Sequence, residues 1–209
     1  MEYLSWENDK WSVAPHKPDM NENGLSKGIK PDYIKPFQQL FERQNFDKIP
    51  ICHEWDQKIS AFTVKDKTPL PCIDDLLDVL EDGKLFTKMD IIWGYNNICI
   101  KEGHEWKATF LMPKGIFEPT IMYFGLCNLP GTFMCMMQTI FHDMIQQQKC
   151  AIYMDNLIFK GKTKEELCRN TLEGLEILAK HNLYIKESKC YWEVEEVPVL
   201  GHIVGKGWL

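Results

Sequence analysis

The sequence predicts an α+β fold, and three observations carry that prediction. Apolar residues recur at strand period and at helix period in short successive stretches. The stretches lack the regular strand–helix–strand spacing of a parallel α/β sheet. The composition is that of a packed chain: 44% hydrophobic, 12% aromatic and 26% charged over 209 residues. This length allows one domain, or one plus an extension. Internal repeats and low-complexity tracts are absent, and no stretch approaches 18 apolar residues, so no membrane span is expected.

Residues 1–62 read as an N-terminal, linker-like extension. They hold Pro15, Pro18, Pro31, Pro36 and Pro50 and the polar run Asn21-Glu22-Asn23-Gly24. Residues 1–30 have too few apolar positions for a core of their own. One helix is expected over Asp32–Gln44, with Ile34, Phe37, Leu40 and Phe41 on one face. From Thr63 to the C-terminus the pattern tightens into a single domain, 63–209. Ile73–Leu80 reads as a helix stopped by Gly83. Lys84–Met89 alternates as a strand that ends on Asp90, and Gly94-Tyr95 turns the chain into a strand at Asn97–Lys101. Two more strands fit Lys107–Leu111 and Ile116–Ile121. A helix is expected from Pro130 to Gln147, with Phe133, Met137, Ile140, Phe141 and Met144 as its stripe. Cys150–Tyr153 and Leu157–Lys160 are apolar strands joined through Tyr153-Met154-Asp155-Asn156. A charged helix follows at Lys164–His181, with Leu167, Leu175 and Leu178 inward. Tyr184–Lys186 and Val199–Val204 close the chain as strands.

Charge and cysteine usage narrow the function classes. Lys plus Arg total 24 against 30 Asp plus Glu, a net charge of −6, and only Arg43 and Arg169 are arginines. A tight nucleic-acid binder shows a basic face, so composition argues mildly against one. Eight cysteines are spread through the chain without a CxxC pair, which excludes zinc-knuckle and thioredoxin motifs. Met1 to Trp6 lead into charges, not into the apolar run of a signal peptide. Reduced thiols and an intracellular location, cytoplasm or nucleus, are expected.

Two acids could carry chemistry. Asp90 ends a strand, and Asp155 sits in a tight turn between two others, where a hairpin presents its side chain at the end of the sheet. Converging carboxylates repel unless a cation lies between them, and hard oxygen ligands suit Mg²⁺. Two such ions about 3.5–4 Å apart stabilise the attacking and leaving oxygens of a phosphoryl displacement. An Asp in a turn is more often simply a turn former.

The motifs around these acids are more specific. Met89-Asp90-Ile91-Ile92-Trp93-Gly94-Tyr95-Asn96-Asn97-Ile98, then Phe124-Gly125-Leu126-Cys127-Asn128-Leu129-Pro130-Gly131-Thr132-Phe133, Tyr153-Met154-Asp155-Asn156, Asn182-Leu183-Tyr184-Ile185-Lys186 with Lys189-Cys190, and Leu200-Gly201-His202-Ile203-Val204 run in this order. Together they resemble the conserved blocks of gypsy-type LTR-retrotransposon reverse transcriptases. Pro31–Ile59 is similar to the segment that precedes the polymerase in those polyproteins. The resemblance implies a palm: an antiparallel sheet with helices packed on one face. It implies RNA-directed DNA polymerase chemistry with two Mg²⁺ (or Mn²⁺) ions, on primer–template nucleic acid and deoxynucleotide triphosphates. Asp90 and Asp155 would be metal ligands. Tyr95 would be the gate beneath the sugar. Phe124, Gly125 and Pro130 would form the floor for template and nucleotide. Lys186 would lie near the nucleotide phosphates, and Leu200, Gly201 and His202 would grip the primer.

The departures from that pattern are equally informative. Asn156 stands at the second Asp of the family's YxDD, removing one charge from the metal site, and is expected to point away from the acid pair or only graze it. Met134 stands where many relatives have Gln. Between Ile59 and Thr63 the family has several dozen residues carrying the basic fingers strands. Here three residues fill that gap, which accounts for the acidic balance. Thumb, connection and RNase H segments are likewise expected to be missing. Two function classes follow: a polymerase domain with impaired activity and weak nucleic-acid binding, or an inactive relic or co-opted interaction scaffold. Asn156 and the missing fingers favour the second.

Other features have simpler readings. Gly161-Lys162-Thr163 lacks the first glycine of a P-loop, and Thr163 with Glu166 reads as a capping box. His53-Glu54 has no second histidine at zinc-protease spacing. Met134, Met136, Met137 and Met144 read as core filler, some of it exposed where the fingers are missing. His104, His142, His181 and His202 read as surface or structural, and Glu193, Glu195 and Glu196 as a solvated turn.

Overall fold

The computed structural model describes residues 4–7, 10–13, 30–42, 56, 58, 59 and 71–205. Its centre is a four-stranded antiparallel sheet of order β6-β7-β3-β8. The strands are β3 (Leu85–Asp90), β6 (Cys150–Tyr153), β7 (Asn156–Gly161) and β8 (Tyr191–Val194). The expected pairing of the Asp90 strand with the Asp155 hairpin holds: β3 runs against β7 from Leu85 opposite Gly161 to Asp90 opposite Asn156.

Alternation along the strands sorts side chains onto two cores. Met89, Ile152, Leu157 and Phe159 face one way, against Phe133 and Met137 of α2 (Leu129–Ile140), Met144 of α3 (His142–Gln146) and Leu167, Leu175 and Leu178 of α4 (Lys164–Lys180). Phe86, Ala151 and Ile158 face the other way. There they meet Leu76 and Leu80 of α1 (Ile73–Leu80) and the valines of the hairpin β9 (Glu196–Val199)–β10 (His202–Gly205). Gly174 permits the close approach of α4 to β7, because a Cβ there would lie 2.3 Å from the Phe159 ring. The Thr163 half of the capping box is present, Thr163 Oγ1 accepting from Glu166 N, while Glu166 Oε2 reaches one residue further and accepts from Lys162 N.

The N-terminal segment joins this body. Asp32–Phe41 is a 3₁₀ helix rather than an α-helix, with Pro36 inside it and a non-helical Phe37. Pro36 has no N–H to extend a regular ladder. Its buried Ile34 and Leu40 belong to the same core as α4, and Leu40 O accepts from Ile185 N. β1 (Leu4–Glu7) and β2 (Lys10–Val13) form an antiparallel hairpin. The expectation of poor packing for residues 1–30 otherwise lies outside the described residues, as do His53-Glu54 and the three residues of the expected fingers gap.

Several expected elements differ. The helix over 130–147 is two helices broken at Phe141, where Thr139 Oγ1 bonds back to Cys135 O, a contact that bends helices. Asn97–Lys101 is not a strand: Gly94–Asn97 form a 3₁₀ turn, and Ile98, Cys99 and Ile100 are all buried, a run rather than an alternation. Cys99 bridges Ile121, and in the same facing segment Thr120 O accepts from Ile100 N and Met122 N donates to Ile98 O. Glu105–Ala108 is likewise a 3₁₀ turn, held by Lys107 Nζ on Ile59 O. The strands beyond it shorten to β4 (Phe110–Met112) and β5 (Gly115–Phe117). Val199–Val204 is broken by a Leu200-Gly201 turn, both residues at positive φ. Glu193 is not in a solvated turn: it lies in β8, and its side chain, 13% exposed, pairs with Lys164. The four methionines are all buried, so none is uncovered. Among the described residues no helix is long and apolar enough to cross a membrane.

Candidate active site

Asp90 is the last residue of β3, and Asp155 lies in the two-residue turn between β6 and β7. The register brings them together. Asp90 sits opposite Asn156, and Ile91 N donates to Asp155 O at 2.8 Å. The turn takes a strained form, with Met154 at φ 55. Its N–H is satisfied from beneath by Met134 Sδ at 3.1 Å. Met134, fully buried on α2, thus props the turn with a weak sulfur acceptor.

Asp90 is 8% exposed. Burial raises its pKa, Lys189 opposes that rise, and the charge of Asp155 adds to it. Lys189 Nζ lies 3.6 Å from Asp90 Oδ2. Lys186 and Lys88 also act on Asp90. Lys88 shares a strand face with Asp90, its Nζ donates to Pro198 O at 2.8 Å, and burial lowers its pKa. Lys186 N donates to Asp90 O at 2.8 Å, so the chain after α4 is fastened to the strand carrying the acid.

Asn156 does not point away. Its Nδ2 donates to Asp155 Oδ1 at 3.1 Å, so the amide occupies one acceptor of the acid pair.

Tyr95 is half-buried, edge-on to Phe133 (5.4 Å) and Phe124 (5.3 Å), and its pKa is raised by burial and then by Asp155. Gly94 is required beside it, since a Cβ would fall 2.8 Å from the Phe133 ring. Phe124 is 76% exposed at the rim, Gly125 follows at φ 114, and Pro130 lies in the first turn of α2, where no N–H is needed. These residues, with Asp155, form one neighbourhood. Leu200, Gly201 and His202 lie on the β9–β10 hairpin, whose valines pack on the same core face as Phe86 and Ile158 and whose Pro198 O accepts from Lys88 Nζ.

The sequence profile described as "Reverse transcriptase (RNA-dependent DNA polymerase)" matches residues 42–204. The chain belongs to the reverse transcriptase family. It is 32% identical over 141 residues to the Transposon Tf2-7 and Tf2-8 polyproteins of Schizosaccharomyces pombe. The match covers 67% of this chain and 10% of each polyprotein, so the chain spans a small part of these relatives. Among solved structures, it is similar to a foamy viral protease-reverse transcriptase in complex with an RNA/DNA hybrid, at TM-score 0.59 and 17% identity, covering 67% of this chain and 19% of that one. The same kind of protein in complex with dsDNA gives TM-score 0.55 and 18% identity, covering 60% and 27%. The fold is therefore that of reverse transcriptases, and the mixed antiparallel architecture agrees with the sequence expectation.

In this member of the family, the donor chemistry of Asp90 and Asp155 decides whether a divalent ion fits. Asp90 and Asp155 offer hard oxygens and repel each other, which is the arrangement such an ion relieves. Among the described residues no group of three or more His, Cys, Asp or Glu side chains converges, as the amide at 156 dictates. The pair fits Mg²⁺ as a reduced set. From the sequence, Lys189 is named only as part of a motif block, without a role, and Lys88 is not named. Lys88 could have been, because it precedes Asp90 by two positions on an alternating strand.

Proposed function

We propose that this chain is the palm of a retrotransposon reverse transcriptase, built for templated addition of deoxynucleotides to a primer 3′-OH and impaired in that reaction. The observation that carries this reading is the convergence of Asp90 and Asp155 at the end of the sheet, beside an amide at 156. Asp90 and Asp155 would hold the divalent ions, which supply Lewis-acid stabilisation of the attacking and leaving oxygens when bound. Tyr95, held edge-on between Phe124 and Phe133, would bound the sugar. Lys186 would neutralise phosphate charge. The Leu200-Gly201-His202 turn would hold the primer backbone at a height set in part by the Lys88–Pro198 contact. Primer–template nucleic acid is the partner class, by analogy with the complexes of the foamy viral enzymes.

Impairment is read from two features. Asn156 removes a carboxylate where charge stabilises most, and its amide engages Asp155 directly. The short Ile59–Thr63 gap leaves out the cationic groups that would position a triphosphate. The second reading, an inactive relic or a scaffold, rests on the same amide. Primer extension with Mg²⁺ or Mn²⁺, using Asp90→Asn as the blank, tests both. Weak extension abolished by Asp90→Asn supports the polymerase reading. No extension above the blank supports the relic. Extension at about 1–10³ per second, ordinary for enzymes, refutes the impairment.

A further inference from the structure

We infer that Lys189 is a built-in competitor for the cation site, an ammonium that must leave Asp90 before a divalent ion can enter. The inference rests on the acid pair being the ion site, as proposed above.

The geometry is specific. Lys189 closes a 3₁₀ turn, Glu187–Lys189, in which Lys189 N donates to Lys186 O at 2.9 Å and Cys190 N to Glu187 O at 3.0 Å. That turn is anchored at both ends. Lys186 N is bonded to Asp90 O, and Cys190, 1% exposed, is sunk in the core. The backbone that delivers the ammonium is thus fastened to the strand that carries its partner. The two side chains differ in freedom. Asp90 is enclosed, its side chain 11% exposed, while that of Lys189 is 43% exposed, so the ammonium can swing into solvent. Lys88 has no such exit, because it is tied to Pro198 O.

Charge counting shows why the contact competes. Asp90 and Asp155 contribute two negative charges. Lys88, Lys186 and Lys189 contribute three positive ones, leaving a balance of +1 around the pair. A carboxylate at 156 would bring that balance to zero. With the amide present, the lysines already over-neutralise the acids, and a divalent ion would raise the local charge to +3. Moving Lys189 away lowers it to +2 and frees Asp90 Oδ2. The substitution at 156 and the Lys189 contact therefore act in the same direction, against cation binding.

The test is Mn²⁺ titration of the full chain, following free Mn²⁺ by electron paramagnetic resonance. Five proteins are compared: the parent, Lys189→Met, Lys189→Arg, Asp90→Asn and Asp155→Asn. Lys189→Met is expected to bind Mn²⁺ about tenfold more tightly than the parent, with Lys189→Arg within about twofold of it. If the parent binds too weakly to measure, Lys189→Met should bring binding into range. Equal or weaker binding by Lys189→Met, or undetectable binding by both, overturns the inference. The Asp variants separate the two levels. Loss of binding in Asp90→Asn and Asp155→Asn with no gain in Lys189→Met rejects the competition and leaves the acid-pair site standing. Full binding in both Asp variants rejects the acid-pair site, and the competition with it. Because Lys189 is exposed at the surface, its variants should melt within a degree or two of the parent.

Discussion

Restoring the third carboxylate by Asn156→Asp should make the free protein less stable and more responsive to divalent ions. The parent amide donates to Asp155 Oδ1 at 3.1 Å. In the variant an oxygen replaces that donor, and two carboxylates stand about 3–4 Å apart. At an effective dielectric constant near 20 the repulsion is ~4 kcal/mol. Both side chains are part-exposed and can turn aside, so screening reduces this to about 1–2 kcal/mol. For a chain of this size that corresponds to a Tm lower by about 2–8 °C. A divalent ion bound only by the folded state reverses the sign, contributing RT ln(1 + [L]/Kd), about 2.7 kcal/mol at a hundredfold excess over Kd.

The assay is thermal melting of parent and variant at neutral pH, with and without Mn²⁺, repeated at acid pH, where protonation should erase the difference. Equal melting temperatures without the ion would mean that side chain 156 does not face Asp155. Equal Mn²⁺ responses would mean that position 156 contributes nothing to cation binding. On the proposed reading DNA synthesis should not return in this variant, because the substitution adds no cationic group for a triphosphate and Lys189 still pairs with Asp90.

Asp90→Asn should stabilise the metal-free protein at neutral pH. Burial raises the folded pKa of Asp90, so folding holds its proton more firmly than the unfolded chain does, and stability falls as pH rises through that window. The gain from Asp90→Asn should therefore shrink as pH drops towards the ordinary carboxylate range, and a pH-independent gain in chemical-denaturation curves would refute this. Gly174→Ala should destabilise by about 1–3 kcal/mol through overpacking, although helix propensity alone predicts a gain of about 1 kcal/mol. A raised Tm would mean that α4 can lift from Phe159. Thr163→Ala should cost about 1 kcal/mol through loss of the cap bond to Glu166 N, read in the same denaturation series.

The parts legible in the sequence are those whose signals are local. Asp90 at the end of an alternating strand and Asp155 in a tight turn between two apolar strands could be placed without tertiary knowledge, because strand period and hairpin geometry fix where such side chains emerge. Thr163 and Glu166 announced the start of α4 in the same way. What stayed hidden depends on partners distant in sequence. The three glutamates near residue 195 look solvated, yet Glu193 is covered because Lys164, on another element, reaches it. Its φ of 49 also marks the irregularity at which β8 shifts register against β3. The run Ile98-Cys99-Ile100 is apolar because it is buried on all sides, and burial by itself does not distinguish a strand from a packed loop. Met134 could be noted as a substitution, but its sulfur accepting from Met154 N depends on how α2 crosses the turn.

The net charge of −6 shows how a whole-chain number misleads about a site. Five of the 30 acids cluster on α1 and just beyond it, where Asp74, Asp75, Asp78, Glu81 and Asp82 are exposed. Solvated charges are screened over about 8–10 Å at ordinary ionic strength. A phosphate or divalent ion arriving at Asp90 meets Lys88, Lys186 and Lys189 at short range, inside a partly desolvated wall where screening is weak. The acidic total is therefore no argument against a polyanionic ligand at this end of the sheet. The same reasoning separates the two lesions. An amide in place of a carboxylate at 156 shifts the local charge balance from zero to +1 and acts on the cation. In the proposed reading, the short Ile59–Thr63 gap would act farther out, on the triphosphate. A single substitution can repair the first term and has no leverage on the second. The two should therefore be measured by different observables: ion affinity for the site, and nucleotide binding for the missing segment.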